Sequence, residues 1–260
     1  MRAAPVTADG SCIRWVEIPG GTAPARVYLH GLGASAAPYF AASATHPALA
    51  GHRSLLVDLL GFGLSDRPAD FGYTLEDHAD AVAAALRAAR VEAADLVAHS
   101  MGGAVAVLLA TRHPDLVGRL VLVDANLDPV EPGQGMVSGA VAAYSEAEFL
   151  STGRQELAEL VGPHWWATMR LAGREALYRS ATHLARGSVP TMREQLLGLS
   201  LPRTFLRPAA DGPLKGEEAL VAAGIDVVAV PDCGHNIMLD NPEAFARLTA
   251  RALAVPRAAR

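Results

Sequence analysis

Short apolar runs alternate with longer segments of helical periodicity along most of the chain. The runs are mostly apolar, without the regular polar alternation of a half-exposed strand, which is typical of strands buried on both faces of a parallel sheet. Predicted strands lie at residues 12–18, 25–29, 54–57, 95–98, 120–123, 203–206 and 225–230, and predicted helices at 75–89, 102–113, 216–223 and 242–254. Strands separated by helices predict an α/β fold, in which helices cover both faces of a mostly parallel central sheet.

The middle of the chain departs from this alternation. Residues 127–201 open with the loop-forming DPVEPGQG and continue with helix-like pieces, without a run of strand-forming residues. These pieces lie at residues 137–149, 154–161, 165–185 and 192–199. We therefore predict a helical cap at 127–201, inserted into a core that is formed by residues 1–126 and 202–260.

Composition places the chain among folded globular proteins. Of its 260 residues, 51% are hydrophobic and 19% are charged, which is enough for a sizeable core. The net charge of −5, without a basic stripe, argues against a nucleic-acid partner. The N-terminal residues lack the apolar segment of a signal peptide, and no apolar run has the length of a membrane span, so we expect a cytoplasmic protein without a membrane partner. Cys12 and Cys233 match no metal-ligand spacing, and we expect two reduced thiols and no metal site.

One serine stands where packing alone would not place it. Residues 98–103 read AHSMGG, so Ser100 ends a predicted buried strand and Gly102 begins a predicted helix. A strand, a serine and a helix in this order are typical of a nucleophile elbow, whose strained turn exposes the hydroxyl above the carboxyl edge of the sheet. Ala98 replaces the first glycine of the usual pattern, and taken alone the segment fits a buried, helix-capping serine better.

Two other segments supply the remaining parts of such a site. HGLG at residues 30–33 follows a predicted strand, where a second oxyanion-hole donor is expected, so the predicted donors are the amides of Leu32 and Met101. His235 lies on the loop between the last predicted strand and the last helix, at the same sheet edge, and is the predicted general base. Two histidines next to strand ends are interpreted as structural: His30 and His99.

Four motifs in this order resemble the α/β-hydrolase superfamily. They are HGLG at 30–33, DLLGFGLSDRP at 58–68, AHSMGG at 98–103 and GHNIMLDNP at 234–242. The resemblance extends over nearly the whole chain, and it implies a Ser-His-acid triad without a metal ion or an organic cofactor. It also implies that Asp58 is a structural turn residue. A serine at the elbow argues against those relatives that use an aspartate nucleophile.

The acid of the triad stays open between two aspartates. Asp211 follows the predicted strand at 203–206, where most of the superfamily places the acid, although Pro208 stands where a glycine is usual. Asp124 directly follows the strand next to that of the nucleophile, where some relatives place it. The sequence DANL resembles a subset of hydrolases with an acidic residue, a small residue, Asn and Leu, which favours Asp124.

The predicted activity is that of a serine hydrolase, which cleaves an ester, thioester or related acyl bond of a small, mostly apolar molecule. Two alternatives stay open: a carbon–carbon bond hydrolase or biosynthetic cyclase of the same fold, and a binding or signalling protein with slow or no turnover. Three aromatic residues of the cap either line the substrate pocket or pack the cap onto the sheet: Phe149, Trp165 and Trp166. A monomer and a homodimer both fit the sequence.

Overall fold

A mixed sheet of eight strands runs through the computed structural model, which describes residues 1–135 and 137–256. The strands are β1 (Arg2–Pro5), β2 (Cys12–Ile18), β3 (Thr22–Leu29), β4 (His52–Asp58), β5 (Ala94–His99), β6 (Val117–Val123), β7 (Arg203–Pro208) and β8 (Asp226–Val230). They lie in the order β1-β2-β4-β3-β5-β6-β7-β8. β2 pairs antiparallel with β1 and β4, and the other pairs are parallel. The predicted α/β fold with a mostly parallel sheet is confirmed.

Helices pack on both faces of this sheet. They are α1 (Ala36–Ala44), α2 (Leu75–Ala88), α3 (Met101–Arg112), α4 (Val137–Ala142), α5 (Glu146–Glu148), α6 (Arg154–Met169), α7 (Arg174–Arg186), α8 (Met192–Gly198), α9 (Glu217–Ala222), α10 (Ile237–Asp240) and α11 (Pro242–Leu253). Because successive side chains of a strand point to opposite faces, neighbouring residues of β3 belong to different halves of the core. Val27 and Leu29 belong to the cluster that α2 and α3 cover, whereas Tyr28 packs against Phe40 of α1, with ring centroids 5.4 Å apart.

The start of α2 follows from its sequence. Thr74 Oγ1 accepts a hydrogen bond from the Asp77 amide at 3.0 Å, and the Asp77 carboxylate accepts one from the Thr74 amide at 3.1 Å. This reciprocal capping satisfies two amides that the helix itself leaves without partners. The predicted helix start is therefore confirmed.

Three short elements of the structure are not predicted by the hydrophobic pattern of the sequence: β1, α1 and α10. β1 has four residues and lies at the sheet edge, and the small residues of α1 (AAPYFAASA) give little helical periodicity. The beginning of α1 depends on a tertiary contact, since Asp58 Oδ1 accepts the amide of Ala36 at 2.7 Å. Asp58 Oδ2 also accepts the amide of Leu64 at 2.8 Å, which fits the structural role expected of this aspartate.

The segment between β6 and β7 holds α4 to α8, with a π-helical turn at Phe149–Gly153 and no strand among its described residues. Two predicted helices are interrupted. The helix predicted at 137–149 breaks before Ser145, which caps α5. The helix predicted at 165–185 breaks before Gly173, whose amide donates to the carbonyl oxygen of Gly61 at 2.8 Å. The Ser145 amide donates to the nearby Glu148 carboxylate, whereas the partner of Gly173 is distant in the sequence.

Side chains of α7 connect this helical segment to the rest of the fold by hydrogen bonds. His78 Nε2 and Ser180 Oγ are hydrogen bonded at 2.9 Å in a buried contact between α2 and α7. The Arg179 guanidinium donates to the carbonyl oxygens of Ala69 and Phe71 at 3.0 and 3.2 Å. These polar contacts give α7 a fixed position above the carboxyl edge of the sheet.

Three further features of the described residues concern helix length, thiols and metal ligands. None of the helices in residues 1–135 and 137–256 combines the length and the apolarity that a membrane crossing requires. Cys12 and Cys233 are both free thiols. Across the same residues, no group of three or more His, Cys, Asp or Glu side chains is arranged to hold a metal ion.

Candidate active site

Ser100 lies at the sharp turn between β5 and α3. Its backbone has φ 53° and ψ −123°, a combination that residues with a side chain rarely adopt. The turn brings α3 very close to β3. A Cβ atom at Gly102 would lie 2.5 Å from the carbonyl oxygen of His30 and 2.8 Å from that of Leu29, so this position requires glycine. The segment AHSMGG thus forms the strained elbow that its sequence indicates.

A second turn follows β6 and packs directly against the elbow. Asp124 has φ 42°, in the left-handed region, which turns the chain sharply at the end of the strand. A Cβ atom at Gly103 would lie 2.3 Å from the Cβ of Ala125, so the two turns touch without space for a further methyl group. The amide of Asn126 also donates to the carbonyl oxygen of Ser100 at 3.5 Å. The two turns therefore hold each other in place.

The carboxylate of Asp124 is hydrogen bonded to the imidazole of His235. His235 Nδ1 and Asp124 Oδ2 lie 2.6 Å apart. Because a carboxylate only accepts, the hydrogen is on Nδ1, and Nε2 of the neutral ring is left with a free lone pair. Asp211 makes no hydrogen bond to His235 within the described residues, although it lines the same cavity. Of the two candidate acids, the structure places Asp124 against the imidazole.

The hydroxyl of Ser100 contacts Asn126, which is not among the residues that the sequence motifs predict for the site. Ser100 Oγ donates to Oδ1 of Asn126 at 3.2 Å. Asn126 is the third residue of DANL, so the turn that presents Asp124 to His235 also presents an amide to the serine. The pattern DANL was the signal in the sequence, but the contact depends on how the two turns pack.

His99 and His30 are buried and hold the loops that carry the site. His99 Nε2 donates to the carbonyl oxygen of His235 at 2.9 Å. His30 Nδ1 donates to the carbonyl oxygen of Gly31 at 2.8 Å, and its Nε2 accepts the amide of Leu59 at 3.1 Å. Burial lowers the pKa of His30, and it lowers the pKa of His99 well below the usual value, so both rings are neutral. Both contacts fit the structural role expected of these histidines.

Two backbone amides next to Ser100 have no partner in the described part of the chain: those of Leu32 and Met101. Met101 is the first residue of α3, where the amides have no acceptor within the helix. The turn that contains Leu32 is close to the serine, since a Cβ atom at Gly31 would lie 3.0 Å from Ser100 Cβ. The carbonyl oxygen of Leu32 accepts a hydrogen bond from Trp165 Nε1 at 3.2 Å, which fixes this turn.

Ser100, His235 and Asp124 line one cavity of about 360 Å³. The remaining lining residues are mostly apolar: Leu32, Ala125, Asn126, Val130, Val137, Ser138, Trp165, Leu184 and Asp211. No lysine or arginine belongs to this lining among the described residues. The ring centroids of Trp165 and His235 are 6.0 Å apart, so the tryptophan borders the imidazole. The cavity has the size and lining of a site for a small organic molecule.

Two of the three aromatic residues expected in the pocket lie elsewhere. Phe149 is fully buried inside the helical segment, with its ring centroid 5.6 Å from that of Tyr178. Trp166 packs beneath the guanidinium of Arg154, which lies 5.2 Å from its ring centroid. Adjacent residues of a helix point about 100° apart, so Trp165 and Trp166 face different surroundings. Of the three residues, Trp165 is the one that lines the cavity.

The chain is similar to known hydrolases. Residues 25–174 match the family model described as alpha/beta hydrolase fold. A 2-hydroxymuconate semialdehyde hydrolase of Pseudomonas is 38% identical over 121 residues, which cover 45% of this chain and 43% of that protein, so the match spans less than half of either. An esterase of Mycobacterium tuberculosis is 28% identical over 257 residues, covering 90% of this chain and 83% of that protein. The solved structure of an esterase from Exiguobacterium antarcticum shares the fold, with a TM-score of 0.79, 23% identity, and coverage of 97% of this chain and 99% of that chain.

Proposed function

The chain belongs to the alpha/beta hydrolase fold family, and on that premise we propose that it is a serine hydrolase that cleaves an ester, thioester or related acyl bond through an acyl-enzyme. The observation that carries the proposal is the 2.6 Å hydrogen bond between His235 Nδ1 and Asp124 Oδ2, in the cavity that Ser100 also lines. This bond gives His235 the tautomer that a general base needs, with Nε2 free to accept a proton.

In the acylation step, Ser100 Oγ attacks the carbonyl carbon of the substrate while its proton passes to His235 Nε2. The carbonyl oxygen becomes an oxyanion, which the amides of Leu32 and Met101 stabilise by hydrogen bonding. Asp124 holds the Nδ1 hydrogen and stabilises the positive imidazolium. When the tetrahedral intermediate collapses, His235 gives its proton to the leaving alkoxide or thiolate, and the acyl group stays on Ser100.

Deacylation repeats these steps with water as the nucleophile. His235 Nε2 takes a proton from the water molecule as its oxygen attacks the acyl carbon. The same two amides stabilise the second oxyanion, and the proton then returns to Ser100 Oγ as the bond to the acyl carbon breaks. The products are a carboxylic acid and the alcohol or thiol that left first.

The cavity favours an uncharged substrate. Its ionisable lining residues are His235, Asp124 and Asp211, and the described lining supplies no cationic side chain to pair with a substrate carboxylate. An anionic acyl group would therefore lose its hydration beside an aspartate without gaining a salt bridge. We expect neutral, short to medium acyl groups to react best.

A carbon–carbon bond hydrolase of the same fold is the second candidate. The Pseudomonas relative that is 38% identical over 121 residues is named a 2-hydroxymuconate semialdehyde hydrolase. A muconate semialdehyde carries a carboxylate. Since the described lining here holds two aspartates and neither lysine nor arginine, the cavity supports a neutral ester better than such a substrate.

We further propose that residues 127–201 act as a cap over the site. Five residues of this segment line the cavity: Val130, Val137, Ser138, Trp165 and Leu184. The hydrogen bond from Trp165 to Leu32 joins the cap to the oxyanion turn. We propose that the protein is a monomer or a homodimer.

Hydrolysis of p-nitrophenyl esters tests the proposed function. The acyl series runs from acetate to octanoate, and p-nitrophenyl hemisuccinate serves as the anionic counterpart of the neutral pentanoate. We expect turnover that Ser100→Ala abolishes, with the neutral ester favoured in kcat/KM by about tenfold or more over the anionic one. Absence of Ser100-dependent turnover on every ester and on matched thioesters would contradict the proposal. A preference for the anionic ester would instead favour the second candidate.

A further inference from the structure

The hydroxyl of Ser100 carries one hydrogen, and two acceptors compete for it. In the structure it is donated to Asn126 Oδ1 at 3.2 Å. The proposed reaction needs the same hydrogen to be directed at His235 Nε2, whose lone pair is free because Nδ1 donates to Asp124. A hydroxyl makes one such donation at a time, so the bond to Asn126 must break before Ser100 can react.

We propose that Asn126 is a brake on the nucleophile: it holds the Ser100 hydroxyl in the free enzyme and releases it when attack begins. The inference rests on the proposed function, since it concerns the same serine. The release is a rotation about the Cα–Cβ bond of Ser100, which moves the hydroxyl hydrogen from Asn126 Oδ1 towards His235 Nε2. No covalent bond changes in this step, and the proton transfer follows it.

The packing of the turn makes Asn126 a fixed acceptor. Ala125 packs against Gly103, since a Cβ atom added at Gly103 would lie 2.3 Å from the Cβ of Ala125. In addition, the backbone amide of Asn126 donates to the carbonyl oxygen of Ser100 at 3.5 Å. These backbone contacts keep the Asn126 side chain beside Ser100. Among the described residues, the bond from Ser100 is the one hydrogen bond that the Asn126 side chain makes.

A bond that exists in the ground state and not in the transition state slows the reaction. A hydrogen bond between two neutral groups has a modest net strength, and its removal should accelerate acylation by about 2- to 10-fold. The gain should appear in the rate of the chemical step after binding. Because His235 remains the base, the pH at which acylation reaches half of its maximal rate should stay unchanged.

Inactivation by diisopropyl fluorophosphate measures this step directly, since the probe reacts with the serine and no product release follows. Asn126→Leu keeps the approximate size of the side chain and removes the acceptor. We expect kinact to rise by about 2- to 10-fold, with the same pH midpoint. A gain caused by the greater apolarity of leucine would appear in KI and leave kinact unchanged, so the two effects are separated.

Two further variants complete the test. Asn126→Asp keeps an acceptor in place and adds a charge, so its stronger hydrogen bond should lower kinact below that of the wild type. Asn126→Ala replaces Asn126→Leu as the deciding variant if the leucine protein does not fold. A kinact that is unchanged or lower in the folded variant without an acceptor would overturn the brake. Failure of the wild type itself to react would overturn the proposed function instead, so the two failures are distinct.

Discussion

Replacing Asp124 by asparagine should disable the proposed base while leaving the shape of the site intact. Asp124 has φ 42°, and asparagine adopts this left-handed conformation more readily than alanine does. The variant amide presents a donor to His235 Nδ1 in place of an acceptor. This favours the imidazole tautomer with its hydrogen on Nε2, which cannot take the proton of Ser100.

The expected loss is large because the bond is short and partly shielded from water. Its length is 2.6 Å, and the side chains of Asp124 and His235 are 22% and 24% exposed, so solvent replaces the lost partner poorly. We expect kcat to fall by about 10³- to 10⁴-fold, equivalent to about 4 to 5.5 kcal/mol of transition-state stabilisation. Asp211→Asn is the matched control, since it removes the same charge from the same cavity without touching the imidazole. Its kcat should stay within about threefold of the wild type.

The assay is p-nitrophenol release at saturating ester, on proteins whose cooperative thermal unfolding shows that they are folded. Near-normal turnover by Asp124→Asn together with an inactive Asp211→Asn would refute the assignment and move the acid to the end of β7. Severe losses in both variants would contradict the view that Asp211 does not act on His235.

Two further predictions concern stability. Gly103→Ala should lower the free energy of unfolding by about 1 to 3 kcal/mol, because the new Cβ would lie 2.3 Å from that of Ala125. Ala125→Gly in the same chain should recover part of this loss in a denaturant titration, and no recovery would show that the two turns do not touch. Burial lowers the pKa of His78 to about 3, so between about pH 3 and 6.5 the unfolded chain takes up a proton that the folded protein does not. The free energy of unfolding should therefore fall on acidification, by about 2 kcal/mol from this group between pH 7 and pH 5. His78→Gln should remove that part of the decrease, and an equal decrease in both proteins would contradict the assignment.

The sheet and its principal helices could be predicted from the sequence because their signals are local. The buried strands are mostly apolar, and the reciprocal hydrogen bonds of Thr74 and Asp77 mark the start of α2. The helices between β6 and β7 were harder to predict, since one of their breaks depends on a distant partner. The helix predicted at 165–185 is interrupted because Gly173 donates to Gly61, and periodicity contains no information about that contact.

The candidate site divides in the same way. Ser100 and His235 could be predicted because they lie in motifs, AHSMGG and GHNIMLDNP, whose order along the chain indicates a nucleophile and its base. The choice between Asp124 and Asp211 is a matter of which carboxylate reaches the imidazole, and the 2.6 Å contact of Asp124 depends on its left-handed turn after β6. The pattern DANL includes Asn126, but it contains no information about the contact with the serine, which exists where two turns pack together.

The central claim is that Ser100 is a nucleophile activated by the folded site, and covalent labelling tests it most directly. The folded protein is treated with a fluorophosphonate, and the adduct is measured by intact mass and located by peptide mapping. We expect one adduct per chain on Ser100, none in Ser100→Ala, much slower labelling in His235→Ala and none after unfolding in denaturant. Folded protein that forms no adduct on Ser100, or that labels equally well when unfolded, would contradict the account.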